Sequence, residues 1–333
     1  RKYFTKSKNK FHLTGSPRSD IWKKKINFEK NKDEEQIFKK PYILICTNFS
    51  FSNNINSYKN IIDMKKREGY YDRTPNLLKR DQDFYPYQKK LIIKFVNLIN
   101  NLTKKFPNYN FCIRPHPVEN INYWHKKLYK MNNLYISNSG AASFWIKNCK
   151  LMIQSGCTTG CEGVISNKVV INYVPIKYKG NGEFLKKISL NIKNQDKLFR
   201  VIKNLKKINF DNKKFQKILN ERIQFKNKRL AAENISNVWF KLSKNISTKT
   251  NNNFLIYFNL IVYENLKLIL LRIILIARGK YGRMQDKLNY LNYKFPEIKR
   301  KSVENDIKIL CENFNLKKKI KVKKLGKKLF FFK

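Results

Sequence analysis

Three short polar clusters stand out in this 333-residue sequence, and two of them hold side chains suited to a phosphorylated ligand. The first is Arg114-Pro115-His116-Pro117-Val118-Glu119, where two prolines stiffen a loop that carries a guanidinium, an imidazole and a carboxylate. Arg suits bidentate contact with phosphate, and His can donate to phosphate or act as an acid. Glu119 can orient either of them, or favour the N-terminus of a following helix. A proline-rich turn with a surface Arg and His fits the same spacing.

The second cluster is Ser155-Gly156-Cys157-Thr158-Thr159-Gly160-Cys161-Glu162. It follows an apolar run and enters a helix, so backbone N–H groups and hydroxyls converge where an anion is stabilised. Gly156 and Gly160 let the backbone approach a ligand, and Glu162, about one turn in, can grip ribose hydroxyls. An ordinary helix start, capped by Thr158 or Ser155, is the plainer alternative. It is not a P-loop, because the closing Lys-Ser/Thr is missing. The third cluster, Gly15-Ser16-Pro17-Arg18-Ser19-Asp20, reads by spacing as a turn into a helix capped by Ser19 or Asp20. His12 and His125 read as structural or surface residues.

The elements that must position these clusters alternate between strand and helix. Lys10 to Thr14 reads as extended, and Lys23 to Lys40 as a solvated crossing segment. Strands are expected at Tyr42–Cys46, Asn110–Ile113, Leu134–Ser137, Leu151–Gln154 and Lys168–Tyr173, the last closing the series. Between them lie a polar loop from Thr47 to Asn56 and helices at about Tyr87–Lys104, Asn120–Met131, through Trp145 and from Thr158. Helices dominate from Gln195 to Ser243. Continuous apolar strands joined by helices imply a parallel, doubly wound α/β sheet, whose ligands bind outside the strand carboxyl ends. Both the Arg114 and the Ser155 clusters stand there.

Composition bounds the rest. Hydrophobic residues make up 42% of the chain, enough for a core. Lys and Arg number 72 against 23 Asp and Glu, a net charge of +49 that favours anionic partners. No nucleic-acid-binding motif accompanies the charge, so an anionic substrate or membrane surface is the expected partner and nucleic acid is not. The six cysteines lack zinc-site spacing and read as buried free thiols. After a polar linker, Lys244 to Asn253, comes the most apolar segment, Phe254 to Ala277. Glu264, Lys267 and Arg272 interrupt it, so a helix lying in an interface or against a core is expected rather than a spanning one. A helix at Val303–Asn313 and a basic hairpin from Lys319 to Phe332, turning near Leu325-Gly326, end the chain. The sequence opens on Arg1 in mid-pattern, and a truncated start is expected.

Taken in order, LTGSPRSD, the loop TNFSFSNN after a strand, CIRPHPVE, and MIQSGCTTGCEG followed by VVINYVP resemble the bacterial surface carbohydrate biosynthesis protein family. That family is similar to GT-B glycosyltransferases, non-hydrolysing nucleotide-sugar 2-epimerases and polyol-phosphate transferases. The resemblance spans about Lys10 to Pro175. It implies two Rossmann-like domains, the first mostly missing here: residues 1–40 would end it and cross over, and 41–245 would bind the nucleotide sugar. Residues 254–333, by their charge and apolar pattern, are expected to form a helical and hairpin extension that can associate with a membrane. The resemblance implies that Arg114, His116, Ser155, Gly156, Thr158 and Thr159 face the donor phosphates and that Glu162 holds the ribose. His116 and Glu119 become the catalytic candidates. Gly15, Ser16, Arg18 and Asp20 would form the crossover, with Thr47 and Asn48 lining the cleft. The implied activity is a metal- and cofactor-independent glycosyltransferase in the cytoplasm, at the inner face of the cell membrane, with a saccharide or lipid-linked acceptor; a 2-epimerase is the second reading and a polyol-phosphate transferase the third. A non-enzymatic basic protein that binds membranes or polyanions is the alternative from another class. Cys157 is an unusual occupant of such a phosphate loop. The acceptor site, and often the catalytic base, would belong to the missing domain, which leaves turnover by this chain open.

Overall fold

A computed structural model describes residues 11–24, 37, 39–72, 74, 76–178, 182–205, 211–226, 229–243, 297–316, 320–324 and 330–332, with isolated positions between 259 and 277. Six strands form one sheet: β1 (Tyr42–Cys46), β2 (Asn110–Arg114), β3 (Leu134–Ile136), β4 (Leu151–Gln154), β5 (Val169–Tyr173) and β6 (Leu190–Ile192). Every pairing is parallel and the order is β3-β2-β1-β4-β5-β6. This is the doubly wound Rossmann order, which changes direction between β1 and β4.

The five expected strands are all present, and β6 adds a sixth that sequence reading missed. Along β1 the side chains alternate between two cores, as strand geometry requires. Ile43 and Ile45 join Phe111, Ile113, Ile153 and Ile171 on one face. Tyr42, Leu44 and Cys46 join Cys112, Trp145 and Met152 on the other. The first face is covered chiefly by α3 (Asn76–Lys105), whose buried stripe includes Leu91, Phe95, Leu98 and Leu102. Its other helices are α4 (Ile121–Lys127) and α8 (Gln195–Lys203). The opposite face is covered by α5 (Ala142–Asn148), α6 (Thr159–Ile165) and α9 (Lys213–Ile223).

The helix expected from Tyr87 begins eleven residues earlier, at Asn76, and runs through Pro86. A proline in that place suggests a helix start. Here the helix continues upstream at the cost of one backbone hydrogen bond. Before it stands α2 (Tyr58–Arg67), in a stretch assigned no element from sequence. Its Lys65 ties it to α3 through Asp81 at 2.6 Å.

Residues 11–14, before the sheet, belong to no strand or helix. The chain turns at Gly15 into α1 (Pro17–Lys24), which packs on α6 and on α10 (Ala231–Ser243). Most of the Lys23–Lys40 segment, all of the Lys244–Asn253 linker and the Leu325-Gly326 turn lie outside the described residues. The expected terminal helix is α11 (Arg300–Asn313), and the hairpin is β7 (Val322–Lys324) antiparallel to β8 (Phe330–Phe332). Among the described residues no helix is long and apolar enough to cross a membrane. A short α7 (Glu183–Lys187) precedes β6.

Where α6 meets the sheet, Gly163 leaves no room for a side chain. A Cβ there would lie 2.7 Å from Val170 Cγ2 and 3.1 Å from Met152 Sδ. Gly163→Ala gains helix propensity but overpacks a closed core, and overpacking wins because the obstructing groups belong to strands on the sheet. A loss of about 1–3 kcal/mol is expected, seen as a lower melting midpoint. A variant as stable as the parent would show that α6 has slack against the sheet.

Candidate functional site

The carboxyl ends of β2, β1, β4 and β5 form a row, because Cys46 pairs with Arg114 on one side and Gln154 on the other, and Gln154 pairs with Asn172. Neighbouring strands are about 4.8 Å apart, so Arg114 and Gln154 flank the switch point at roughly 10 Å. The loops after these strands carry the first two sequence clusters.

Glu119 organises the loops of β1 and β2. It is buried with no exposed surface. Its Oε1 accepts from Thr47 Oγ1 (2.8 Å), Phe49 N (3.0 Å) and His116 N (3.1 Å). Its Oε2 accepts from Asn53 Nδ2 (3.3 Å) and Trp124 Nε1 (3.1 Å). Burial raises its pKa, and these donors pull against the rise. Glu119, expected as a catalytic candidate, stands in this structure as the acceptor that ties the two loops together. Thr47, expected to line the cleft, is buried with its hydroxyl on Glu119. Asn48 is half-buried, and its carbonyl accepts from Gln88 Nε2 at 2.8 Å.

His116 is half-buried, and its Nδ1 accepts from Val118 N at 3.3 Å. That bond assigns the ring proton to Nε2, which can donate to a ligand. Arg114 is held more firmly than expected: its Nη1 donates to Ser139 O at 2.6 Å and its Nη2 to Gly140 O. The fork expected to grip phosphate is largely committed to the β3–α5 loop, over the Trp145 ring. Arg114 offers charge from a fixed place.

The loop after β4 is shaped by Gln154, whose Oε1 accepts from Cys157 N at 2.8 Å. Sequence reading missed this residue, although a polar side chain closing the run Leu-Met-Ile-Gln was a signal. Ser155 is buried and its Oγ has no hydrogen-bond partner. Asn172 Oδ1, at the end of β5, is also buried without one. Gly156 adopts φ +68°, and a Cβ on Gly182 (φ +62°) would come within 2.9 Å of its Cα. The two glycines thus let the β4 and β5 loops touch. Thr158 is exposed and makes no side-chain cap on α6, contrary to the capping alternative. Thr159 Oγ1 donates to Cys157 Sγ at 3.0 Å, and burial pushes the Cys157 thiol pKa up, keeping it neutral. Gly160 is buried, a Cβ there meeting Gln154 at 3.4 Å.

Glu162 lies in the first turn of α6 with 6% of its surface exposed. Burial raises its pKa to about 7, against the opposing charges of Arg18 and then Arg114. The structure therefore brings the first and third clusters to the second. Arg18 is exposed on α1, its guanidinium 5.7 Å from the centre of the Trp22 ring. It is carried there by its neighbours. Gly15 (φ +84°) abuts Ala231, and Ser19 Oγ donates to Ser16 O at 2.6 Å. Asp20, expected to cap its own helix, instead accepts from Ala231 N and Ala232 N, both at 3.1 Å, and caps α10. His12 and His125 are exposed.

No protein-family model matches the chain, and no curated protein matches its sequence. Among solved structures it is similar to MnaA of S. aureus with UDP, at 13% identity over 72% of this chain and 55% of that one, with a TM-score of 0.40. It is also similar to the UDP-GlcNAc 2-epimerase of Methanocaldococcus jannaschii with UDP-GlcNAc and UDP, at 14% identity over 70% and 56%, TM-score 0.42. A third similarity is to TarM, at 20% identity over 45% and 32%, TM-score 0.29. The chain spans about half the length of the first two.

Glu119→Ala would strip one partner from five donors, each costing about 1–3 kcal/mol if left buried and unpaired. Even after partial relaxation, a loss of at least about 3 kcal/mol is expected, measured by denaturant unfolding. An unchanged unfolding midpoint would show that Glu119 does not hold these loops.

Proposed function

We propose that this chain supplies the donor site of a GT-B-type transferase for bacterial surface carbohydrate. The nucleotide diphosphate of the sugar donor would sit between Arg18 and the loop of Ser155 to Thr158. The observation that carries this reading is the loop after β4, where Ser155 Oγ is buried without a hydrogen-bond partner and Gly156 and Gly182 approach closely beside the sheet's switch point, with Glu162 buried in the next turn. A site that gathers cationic charge, an unpartnered buried hydroxyl and closely approaching glycines is suited to a diphosphate.

The residues divide the work. Arg18 offers its guanidinium fork to the phosphates, while Arg114 adds charge from its fixed anchorage. Both favour the negative charge that grows on the departing nucleotide diphosphate. Ser155 Oγ, the Thr158 hydroxyl and His116 Nε2–H complete the polar wall, and Glu162 takes the ribose hydroxyls, as the family resemblance implies. A 2-epimerase, the second reading, would need acid–base groups facing the sugar, and Glu119 is engaged with loop donors instead. Nucleotide sugars as substrates place the work in the cytoplasm, with a saccharide or lipid-linked acceptor.

Calorimetry with UDP, CMP, CDP and GDP tests this directly. One nucleotide should bind selectively, and Arg18→Ala should weaken it about 10- to 100-fold, as expected for a charge-assisted hydrogen bond. Arg18→Lys should not restore affinity, because an ammonium lacks the planar fork. No binding at millimolar nucleotide, or equal binding by Arg18→Ala, would remove the site.

Glu162 also fixes a pH dependence. Its pKa is raised from 4.5 to about 7 in the folded chain, so the unfolded chain ionises first as pH rises. Stability should fall between those two values and level off above them, by roughly 3 kcal/mol at most. Glu162→Gln should abolish that slope, as read from unfolding midpoints across pH. A slope equal in parent and variant would place the titration elsewhere.

A further inference from the structure

We propose that the described apolar positions between 263 and 276 present a docking face for an anionic lipid bilayer, on which the chain lies without crossing it. This inference is independent of the donor site. The described positions in and around this stretch, 259, 262, 263, 266, 269, 270, 273, 274, 276 and 277, are helical. Seven of them carry large apolar side chains exposed to solvent: Tyr263, Leu266, Ile269, Leu270, Ile273, Ile274 and Ile276. Steps of three and four residues, as in 263-266-270-273 and 266-269-273-276, gather them on one side of a helix. Monomeric proteins rarely leave so much contiguous apolar surface uncovered. At the end of α10, Trp239 and Phe240 are exposed as well, at 70% and 62%. Such rings settle readily at a membrane–water boundary.

Charge selects the occupant. The chain carries +49, and its sequence from Lys317 to Lys328 has eight lysines in twelve residues. A second copy seated on the apolar face would bring two strongly cationic chains together. An anionic bilayer accepts the apolar face and neutralises the charge at the same time, the pairing of two weak signals that gives stable peripheral binding. Spanning is disfavoured by Glu264, Lys267 and Arg272, which fall within the same apolar sequence.

The test is sedimentation of the chain with vesicles of phosphatidylcholine alone and of phosphatidylcholine mixed with phosphatidylglycerol. The chain should pellet with the mixed vesicles, stay in solution with the neutral ones, and detach partly as salt rises. The double variant Ile269→Glu/Ile273→Glu should bind mixed vesicles at least about tenfold more weakly. Both positions are exposed, so its melting temperature and nucleotide binding should match the parent's. A parent that ignores mixed vesicles overturns the proposal. So does a double variant that pellets like the parent, which would reduce the affinity to attraction for any polyanion. A parent dimer that the double variant dissolves, with no vesicle binding by either, would assign the face to a second copy.

Discussion

Glu119 accepts five hydrogen bonds with no exposed surface, and the loops beyond β1 and β2 take their course from it. Removing a carboxylate from water is expensive, and only a dense set of donors makes such a position tolerable. Thr47, Phe49 and Asn53 come from one loop, His116 from the other, and Trp124 from α4. Each donor is fixed by the bond it gives. The imidazole of His116 and the start of α4 are therefore placed by a residue that never meets solvent.

Around that centre the parallel sheet does the coarse positioning. Its strand order reverses between β1 and β4, so the loops diverge there and leave a crevice. Helix α6 brings Glu162 to this crevice, and Gln154 shapes the turn that precedes it. The third contribution comes from far away in sequence. Asp20 caps α10 and so fastens α1 to it, while α1 also packs on α6 and carries Arg18 on its exposed side. A helix cap thus decides where a guanidinium stands.

Much of the sheet was legible because strands covered on both faces read as continuous apolar runs. Leu190–Ile192 escaped because it is three residues long with an exposed Asn at its centre. Helix α2 escaped because only Ile61 and Ile62 are buried along its polar length, and the start of α3 was hidden by Pro86. In the site, residue types were legible but their partners were not. Arg114 reads as a phosphate ligand until Ser139 and Gly140 are seen to occupy its fork. Glu119 reads as an acid until its burial is known. Asp20 reads as a local cap, although its partners lie more than two hundred residues away. Sequence spacing reports local geometry, and these assignments depend on tertiary contacts.

The central claim is that Arg18 and the β4–α6 loop together receive a nucleoside diphosphate. A crystal structure of the chain grown with the nucleotide that binds best tests it most directly. The diphosphate should lie within hydrogen-bond distance of the Arg18 guanidinium and of Ser155 Oγ, with the ribose against Glu162. A nucleotide bound elsewhere, or one that leaves Arg18 in its place beside Trp22, would contradict it.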